Sequence, residues 1–316
     1  MQKFHHEGFK YNMNTSCPIC KSQNNEFLCA YKYINIVFQN KELLRCNNCT
    51  CVFISPMLKD DELNEYYRTY WQSNIQSQND PALKFYYHQA KARIDYIIKV
   101  VGSLKDKKIM EVGAAHGFIF DVLNDIYSND FQYTAVESDI SQLELLKQKN
   151  INCFCDISEL PDRQYDMIIL SHIIEHLNDP VIFLNKLKNL LVKDGYFFIE
   201  VPNNDHLHKE IFEPHLVFYN LDCMNELFIK SQLKFIALEC FGRLIDEIKL
   251  KPFDKIITDV KHFIRKEIIP DGIMRFIRKN IVQNNNIVDY DEEFKLRVVG
   301  DKRQWIRAIT RLNSEK

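Results

Sequence analysis

No stretch of the 316 residues stays apolar for the ~20 positions that a membrane span requires, so no transmembrane segment is expected. The start does not read as a secretion signal either. Met1 to Tyr11 carries His5, His6 and Lys10 but no apolar core, which points to the cytoplasm. A charge excess of one sign is also missing, with 41 Lys and Arg against 43 Asp and Glu and a net charge of −2. A chain held to nucleic acid by phosphate contacts would be basic, so nucleic acid is not the expected partner. Two nucleotide signatures are absent. No glycine loop ends in Gly-Lys-Ser/Thr, and the third glycine of a dinucleotide fingerprint would fall at position 118, which is Phe. There are no internal repeats and no long low-complexity tract. Apolar residues at 46% and aromatics at 12% do allow a sizeable core.

The ten cysteines are unevenly spread. Six of them, Cys17, Cys20, Cys29, Cys46, Cys49 and Cys51, fall in the first 51 residues. In a chain with no secretion signal this reads as metal binding, not disulfides. Cys17-Pro-Ile-Cys20 and Cys46-Asn-Asn-Cys49 are two C-x-x-C turns, and each can place two thiolates on one tetrahedral centre. Four sulfur ligands leave no open position, so the expected zinc is structural. Cys51 is expected to point away from that centre, and Cys29 is isolated.

The chain divides by composition. Residues 1–13 are expected to be a disordered extension, with Met13 an alternative start. Residues 14–55 form the zinc unit, and 56–101 a linker with helices. Asp80-Pro81 supplies a cap and a first-turn proline for a helix running to Val101. Residues 102–242 alternate strands and helices. Strands are expected at 107–112, 133–137, 152–155, 167–170, 196–201 and 235–240. Helices are expected at 118–126, at 141–149 capped by Ser141, and at 180–192 ended by Asp194-Gly195. This alternation implies a parallel doubly wound α/β sheet.

The first strand of that core ends in Glu111-Val-Gly113-Ala-Ala115-His-Gly117, an acid followed by glycines four apart. Glycine there lets the chain turn sharply and lets a ligand lie against the backbone, at the positive end of the next helix. Glu137 ends the second strand, where an acid can accept both hydroxyls of a ribose.

E-x-G-x-x-x-G, with Ala115 at the middle glycine position, resembles the first motif of class I S-adenosylmethionine-dependent methyltransferases. His172-Ile-Ile-Glu-His176-Leu-Asn-Asp-Pro180 resembles the H-x-x-E-H-L-x-D-P run of the Methyltransf-23 type. With the N-terminal zinc unit, the chain is similar to bacterial sugar and polysaccharide methyltransferases. The resemblance covers roughly residues 14–242 and the last strand. It implies a Rossmann-like seven-stranded sheet whose last strand, 305–312, runs antiparallel beside the sixth. Residues 243–300 then become a helical insertion before that strand, and 301–316 the last strand and tail.

The resemblance also implies site roles. Adenosylmethionine would be held by Glu111, Gly113, Ala115, Gly117 and Glu137. Asp156 would meet the adenine amino group with the Ile157 backbone nearby, and His172 would lie beside the methionine end. His176 and Glu175 are the catalytic candidates, because an acceptor alcohol or acidic carbon must lose a proton and His or Glu can take it. His215, in Pro214-His-Leu-Val-Phe-Tyr219, is a second base candidate. Pro202-Asn203 is expected on the acceptor side, and Tyr66-Tyr67-Arg-Thr-Tyr70-Trp71 as an aromatic lid.

The expected acceptor is a small molecule, sugar-derived, methylated on oxygen or carbon. An RNA base methyltransferase and a non-catalytic scaffold are the alternatives, as is H-x-x-E-H on a helix acting as a zinc protease motif. The Lys/Arg- and Ile/Phe-rich pattern near 253–281 suits a dimer contact, a peripheral membrane contact or ordinary packing, and the chain is expected as a monomer or homodimer. It departs from the sugar C-methyltransferases in lacking their larger second α/β domain.

Overall fold

A computed structural model of the chain describes residues 15–73, 82–160, 164–248 and 302–313. The expected extension at 1–13, the Asp80-Pro81 cap and nearly all of the expected insertion lie outside these residues. Among the described residues no helix is long and apolar enough to cross a membrane.

The N-terminal unit starts as a meander of three short antiparallel strands, β1 (Asn25–Ala30), β2 (Glu42–Cys46) and β3 (Val52–Ser55). So small a sheet needs a covered face to be stable. Two helices follow, α1 (Asp60–Ser73) and α2 (Ala82–Val101). Asp60, Asp61 and Glu62 in the first turn of α1 complement its positive end.

The core then alternates β4 (Lys108–Val112), α3 (Phe118–Tyr127), β5 (Gln132–Val136), α4 (Ile140–Gln148) and β6 (Asn152–Phe154). β7 (Tyr165–Ser171), α5 (Pro180–Lys188) and β8 (Leu191–Pro202) continue it. β9 (Val217–Phe218), α6 (Leu221–Lys230), β10 (Leu233–Leu244) and β11 (Arg303–Leu312) complete the chain. Seven strands lie in the order β10-β11-β8-β7-β4-β5-β6, and β11 is antiparallel to both neighbours. This is the α/β, Rossmann-like sheet, with an antiparallel last strand, that the resemblance implies. Its central strands are buried on both faces, as parallel strands require. Ile168 and Leu170 of β7 enter one apolar cluster, while Met167 and Ile169 enter the other, under α2 and α3.

Four expectations need correcting. α4 is capped by Asp139, whose carboxylate accepts from Ser141 N at 2.8 Å, so Ser141 is the second helical residue and not the cap. α5 stops at Lys188, not Val192, because Leu191 pairs with Tyr165 and Asp194-Gly195 lies inside β8. A Cβ at Gly195 would stand 2.8 Å from Leu191 Cγ, so this glycine permits close packing. β10 runs on through Leu244, past the expected start of the insertion at 243.

The fourth correction concerns the N-terminal unit, which does not close at residue 55. β9 adds a fourth strand to its sheet, with Val52 opposite Phe218 and Phe53 opposite Val217. One apolar cluster runs from Cys17, Leu43 and Phe53 through Phe218 and Phe228 to Ile168 and Ile199. A unit of about 40 residues is too small to bury enough surface alone, and it shares the core of the larger sheet.

Candidate active site

The sheet's order reverses at β4, between β5 and β7, and ligands collect at the carboxyl ends of strands there. A cleft of about 660 Å³ opens at this point, lined by Gly113, Glu137, Asp156, Ile157, Ile173 and Leu177 among others. Four of the predicted cofactor residues therefore share it. A second hollow, of about 750 Å³, lies at the far end of β5 among Asn124, Asn129, Gln132 and Asn152, away from the glycine loop.

Gly113 has φ +71°, a left-handed conformation that a side chain rarely adopts. A Cβ there would meet Ile173 Cδ1 at 2.3 Å, so the loop backbone and the turn after β7 touch directly. Gly117, at φ +72°, serves packing instead, since its Cβ would meet Leu146 Cδ2 at 2.9 Å. Ala115 is also left-handed, at φ +46°, and its N–H donates to Glu137 Oε2 at 2.8 Å. Glu137 Oε1 accepts from Asp139 N at 3.0 Å, so this carboxylate ties the glycine loop to the end of β5. Burial pushes its pKa up. Asp156 caps a short turn through Ser158 N at 2.8 Å, and hydrogen bonding from the Ser158 hydroxyl first and this N–H second holds its pKa down.

Glu111 is placed differently from its loop neighbours. It is buried beneath the loop, where Tyr133 O–H donates to it, and burial pushes its pKa up to about 8. It does not line the cleft.

The H-x-x-E-H run is not helical. His172 has φ +56°, and only Ile174–His176 form a 3-10 turn. The two histidines thus lack the shared helix face that the protease alternative needs. What the fold does bring together is Glu175, His176 and His215, with one ligand atom of each within 4.8 Å of the others. The His176 and His215 rings meet edge to face, with centroids 4.9 Å apart. His215 Nδ1 lies 2.7 Å from Asp205 Oδ2, and Lys209 Nζ lies 3.2 Å from the same carboxylate. Burial lowers the pKa of His176 to about 4, against the pull of Glu175. Glu175 is held below its ordinary range: burial opposes this, but His172 and His176 outweigh it.

The N-terminal unit braces the segment that carries His215. Tyr31 O–H donates to His215 O at 2.9 Å, Phe212 N to Lys32 O at 2.8 Å, and Ile54 N to Leu216 O at 2.9 Å. From the other side Leu216 N donates to Glu175 O at 2.8 Å. Tyr66 packs edge-on against Phe38 and Tyr67, and Tyr67 faces His176 at 6.3 Å, so these two aromatics of the expected lid lie beside the histidines.

His172 links that cluster to a second, buried network. Its Nδ1 lies 3.1 Å from Glu175 Oε1 and its Nε2 3.3 Å from Glu200 Oε1. Burial opposes its charging, but these two carboxylates raise its pKa. Glu200 is fully buried and receives Arg93 at 2.6 Å and Arg307 beside it. Arg307 also lies 4.8 Å from the Phe241 ring centre. Asn203 is likewise structural, since its side chain donates to Arg303 O at 2.7 Å and is closed off from solvent.

Sequence reasoning missed Asp205, Lys209, Glu200, Arg93 and Arg307. Asp205 follows Pro202-Asn-Asn, a turn that could have directed attention to it. The two arginines are separated by more than 200 residues, and no local pattern joins them.

The four predicted zinc ligands converge. Cys17 Sγ is 3.5 Å from Cys49 Sγ and Cys20 Sγ 3.4 Å from Cys46 Sγ, and all four lie within 4.8 Å of one another. Hydrogen bonding from Cys49 and Cys51 lowers the Cys17 pKa to about 6. A set of four sulfur donors of this size fits a tetrahedral zinc. Cys51 does not point away as expected. It is fully buried behind the cluster, against Cys17 and Cys223, and burial keeps its thiol protonated.

Residues 83–237 match the Methyltransf_23 family, described as a methyltransferase domain. A search of curated proteins gives no match. Similar solved structures include an adenosylmethionine-dependent methyltransferase from Archaeoglobus fulgidus, 17% identical, covering 78% of this chain and 99% of that chain, with a TM-score of 0.45. The plantazolicin methyltransferase BpumL with S-adenosylhomocysteine is 12% identical, over 80% of this chain and 91% of that one, TM-score 0.46. Coclaurine N-methyltransferase with N-methylheliamine and S-adenosylhomocysteine is 15% identical, over 75% of both chains, TM-score 0.45.

Proposed function

For a chain that is an enzyme of the adenosylmethionine-dependent methyltransferase type, we propose that it methylates an oxygen or carbon of a small, sugar-derived acceptor, using His215 as general base. When bound, adenosylmethionine supplies a sulfonium methyl that is already electrophilic. The chain's own task is then to align the acceptor and take its proton. Gly113, Glu137, Asp156 and Ile157 line the cleft that suits the cofactor.

The observation that carries the base assignment is the Asp205 carboxylate at 2.7 Å from His215 Nδ1. That bond fixes the Nδ1–H tautomer and leaves Nε2 as the proton acceptor. The sequence favours His176 for this role. A pKa of about 4 makes its imidazole a poor acceptor near neutrality, because base efficiency needs a pKa close to the working pH. His176 lines the site beside His215, and Glu175 orients the acceptor. The sugar-derived acceptor rests on the sequence resemblance, namely the zinc unit with the P-H-L segment.

Incubating the protein with methyl-labelled adenosylmethionine and a panel of sugar nucleotides tests the proposal. Label transfer to one of them, abolished in His215→Asn, is the expected result. Label appearing in RNA instead, or full transfer in His215→Asn, would contradict it.

A further inference from the structure

The Glu175, His176 and His215 groups are each held from behind. Asp205 Oδ2 holds His215 Nδ1 at 2.7 Å, Pro214 O lies 3.3 Å from His176 Nδ1, and His172 Nδ1 lies 3.1 Å from Glu175 Oε1. These acceptors place the proton of each of the His176 and His215 rings on Nδ1 and leave both Nε2 atoms as lone-pair acceptors, with Lys209 Nζ 3.1 Å from that of His215. Glu175 Oε2 is buried and has no hydrogen-bond partner among the described residues, in a side chain only 1% exposed. A buried carboxylate oxygen is costly without a hydrogen-bond donor or a cation. Two imidazoles and this carboxylate, each with one ligand atom within 4.8 Å of the others, form an electron-rich cluster with the Lys209 ammonium at its edge.

We propose that Glu175, His176 and His215 bind a divalent transition-metal ion, distinct from the zinc of the four cysteines, with Asp205 as the orienting partner of His215. Two histidines and a glutamate are the donor set of three-ligand zinc sites, and imidazole with carboxylate suits zinc, cobalt and nickel. Ligating histidines give their second nitrogen to a carboxylate or backbone carbonyl, as Asp205 and Pro214 provide here. Three protein ligands leave a coordination position open. His176, whose side chain is 22% exposed, marks the side from which an ion enters.

Lys209 supplies the opposing charge. Its Nζ lies 3.1 Å from both ring nitrogens of His215 and 3.2 Å from Asp205. Its side chain is a third exposed, so it can swing into solvent as an ion enters. The binding does not depend on the methyl-transfer reading, but its consequence does. An ion and a proton compete for His215 Nε2, so occupancy switches the base off.

The test is a cobalt(II) titration of the full chain with its cysteine site already filled with zinc. Visible absorption of nitrogen- and oxygen-ligated cobalt reports this site, and a near-ultraviolet thiolate band reports displacement at the cysteines. One saturable equivalent of the first kind is expected. Glu175→Gln and His215→Gln should each weaken it at least about tenfold, and Asp205→Asn by ~10–100-fold, as outer-shell partners do. Lys209→Met should tighten it. Circular dichroism establishes that each variant is folded. Absence of saturable nitrogen/oxygen-type cobalt in the wild type overturns the proposal, and so does unchanged affinity in folded Glu175→Gln. If methyl transfer persists while cobalt fails to bind, only the metal site is lost and the methyl-transfer reading stands.

Discussion

Asp205 Oδ2 and His215 Nδ1 face each other at 2.7 Å, both buried, across ten residues of chain. Burial alone would raise the Asp205 pKa. His215 first, and then Lys209, hold it well below the ordinary carboxylate range. The acid is therefore ionised and accepts, and the imidazole is held in one tautomer. Asp205→Asn keeps the shape but can present an N–H to His215, which reverses the tautomer. kcat should fall ~10²–10⁴-fold at near-constant cofactor affinity. Steady-state kinetics with calorimetry on the same variant checks this, and a loss confined to KM would argue against a base.

Gly113→Val should weaken cofactor binding while leaving the fold intact. The backbone is left-handed at this position, and a new Cβ would strike Ile173 Cδ1 at 2.3 Å and fill the cleft. Calorimetry with adenosylmethionine should show affinity reduced more than about tenfold, a change of at least ~1.4 kcal/mol. Unchanged affinity would remove the cleft assignment.

Metal analysis of protein purified without chelator should find one zinc held by Cys17, Cys20, Cys46 and Cys49. A value near zero would end that assignment. The N-terminal sheet shares its core with β9 and α6. Cys46→Ser or chelation should therefore lower one cooperative thermal transition instead of melting a separate unit.

Glu200→Gln should be among the most damaging single changes. It leaves the Arg93 and Arg307 guanidinium groups facing each other without their shared carboxylate, and Arg307 is 1% exposed. Breaking a buried pair of this kind costs about 3–5 kcal/mol. Urea denaturation would show it as a lowered midpoint at unchanged slope.

Acid should expose the buried neutral histidines. Burial lowers the pKa of His176 and of His206 to about 4 each. An unfolded histidine titrates near ~6.5. Between those values the unfolded chain binds more protons, so these residues remove stability as pH falls from about 6.5 to 4. Glu111 works in the opposite direction. Burial pushes its folded pKa up to about 8, so it removes stability as pH rises from its unfolded value towards 8. His206→Phe, at a position already packed on Phe218, should flatten the acid side of the stability profile. An identical profile in that variant would contradict the burial argument.

The sequence by itself determined the alternation of strands and helices, the cysteine quartet and the glycine loop. Each is a local pattern. A period of two or 3.6, a C-x-x-C turn or a left-handed glycine is dictated by backbone sterics within a few residues. Element ends were less legible. Whether Leu191 continues α5 or opens β8 depends on Tyr165, 26 residues earlier in the chain and opposite it in the sheet. Only the tertiary structure decided that β9 completes the N-terminal sheet and that Glu111 turns away from the cleft to Tyr133. It also decided that His172 joins Glu200 while His176 joins His215. The reason is the same in each case. Burial and pairing energies depend on groups brought together from distant parts of the chain, as Arg93, Glu200 and Arg307 are, and no short window of sequence contains both partners.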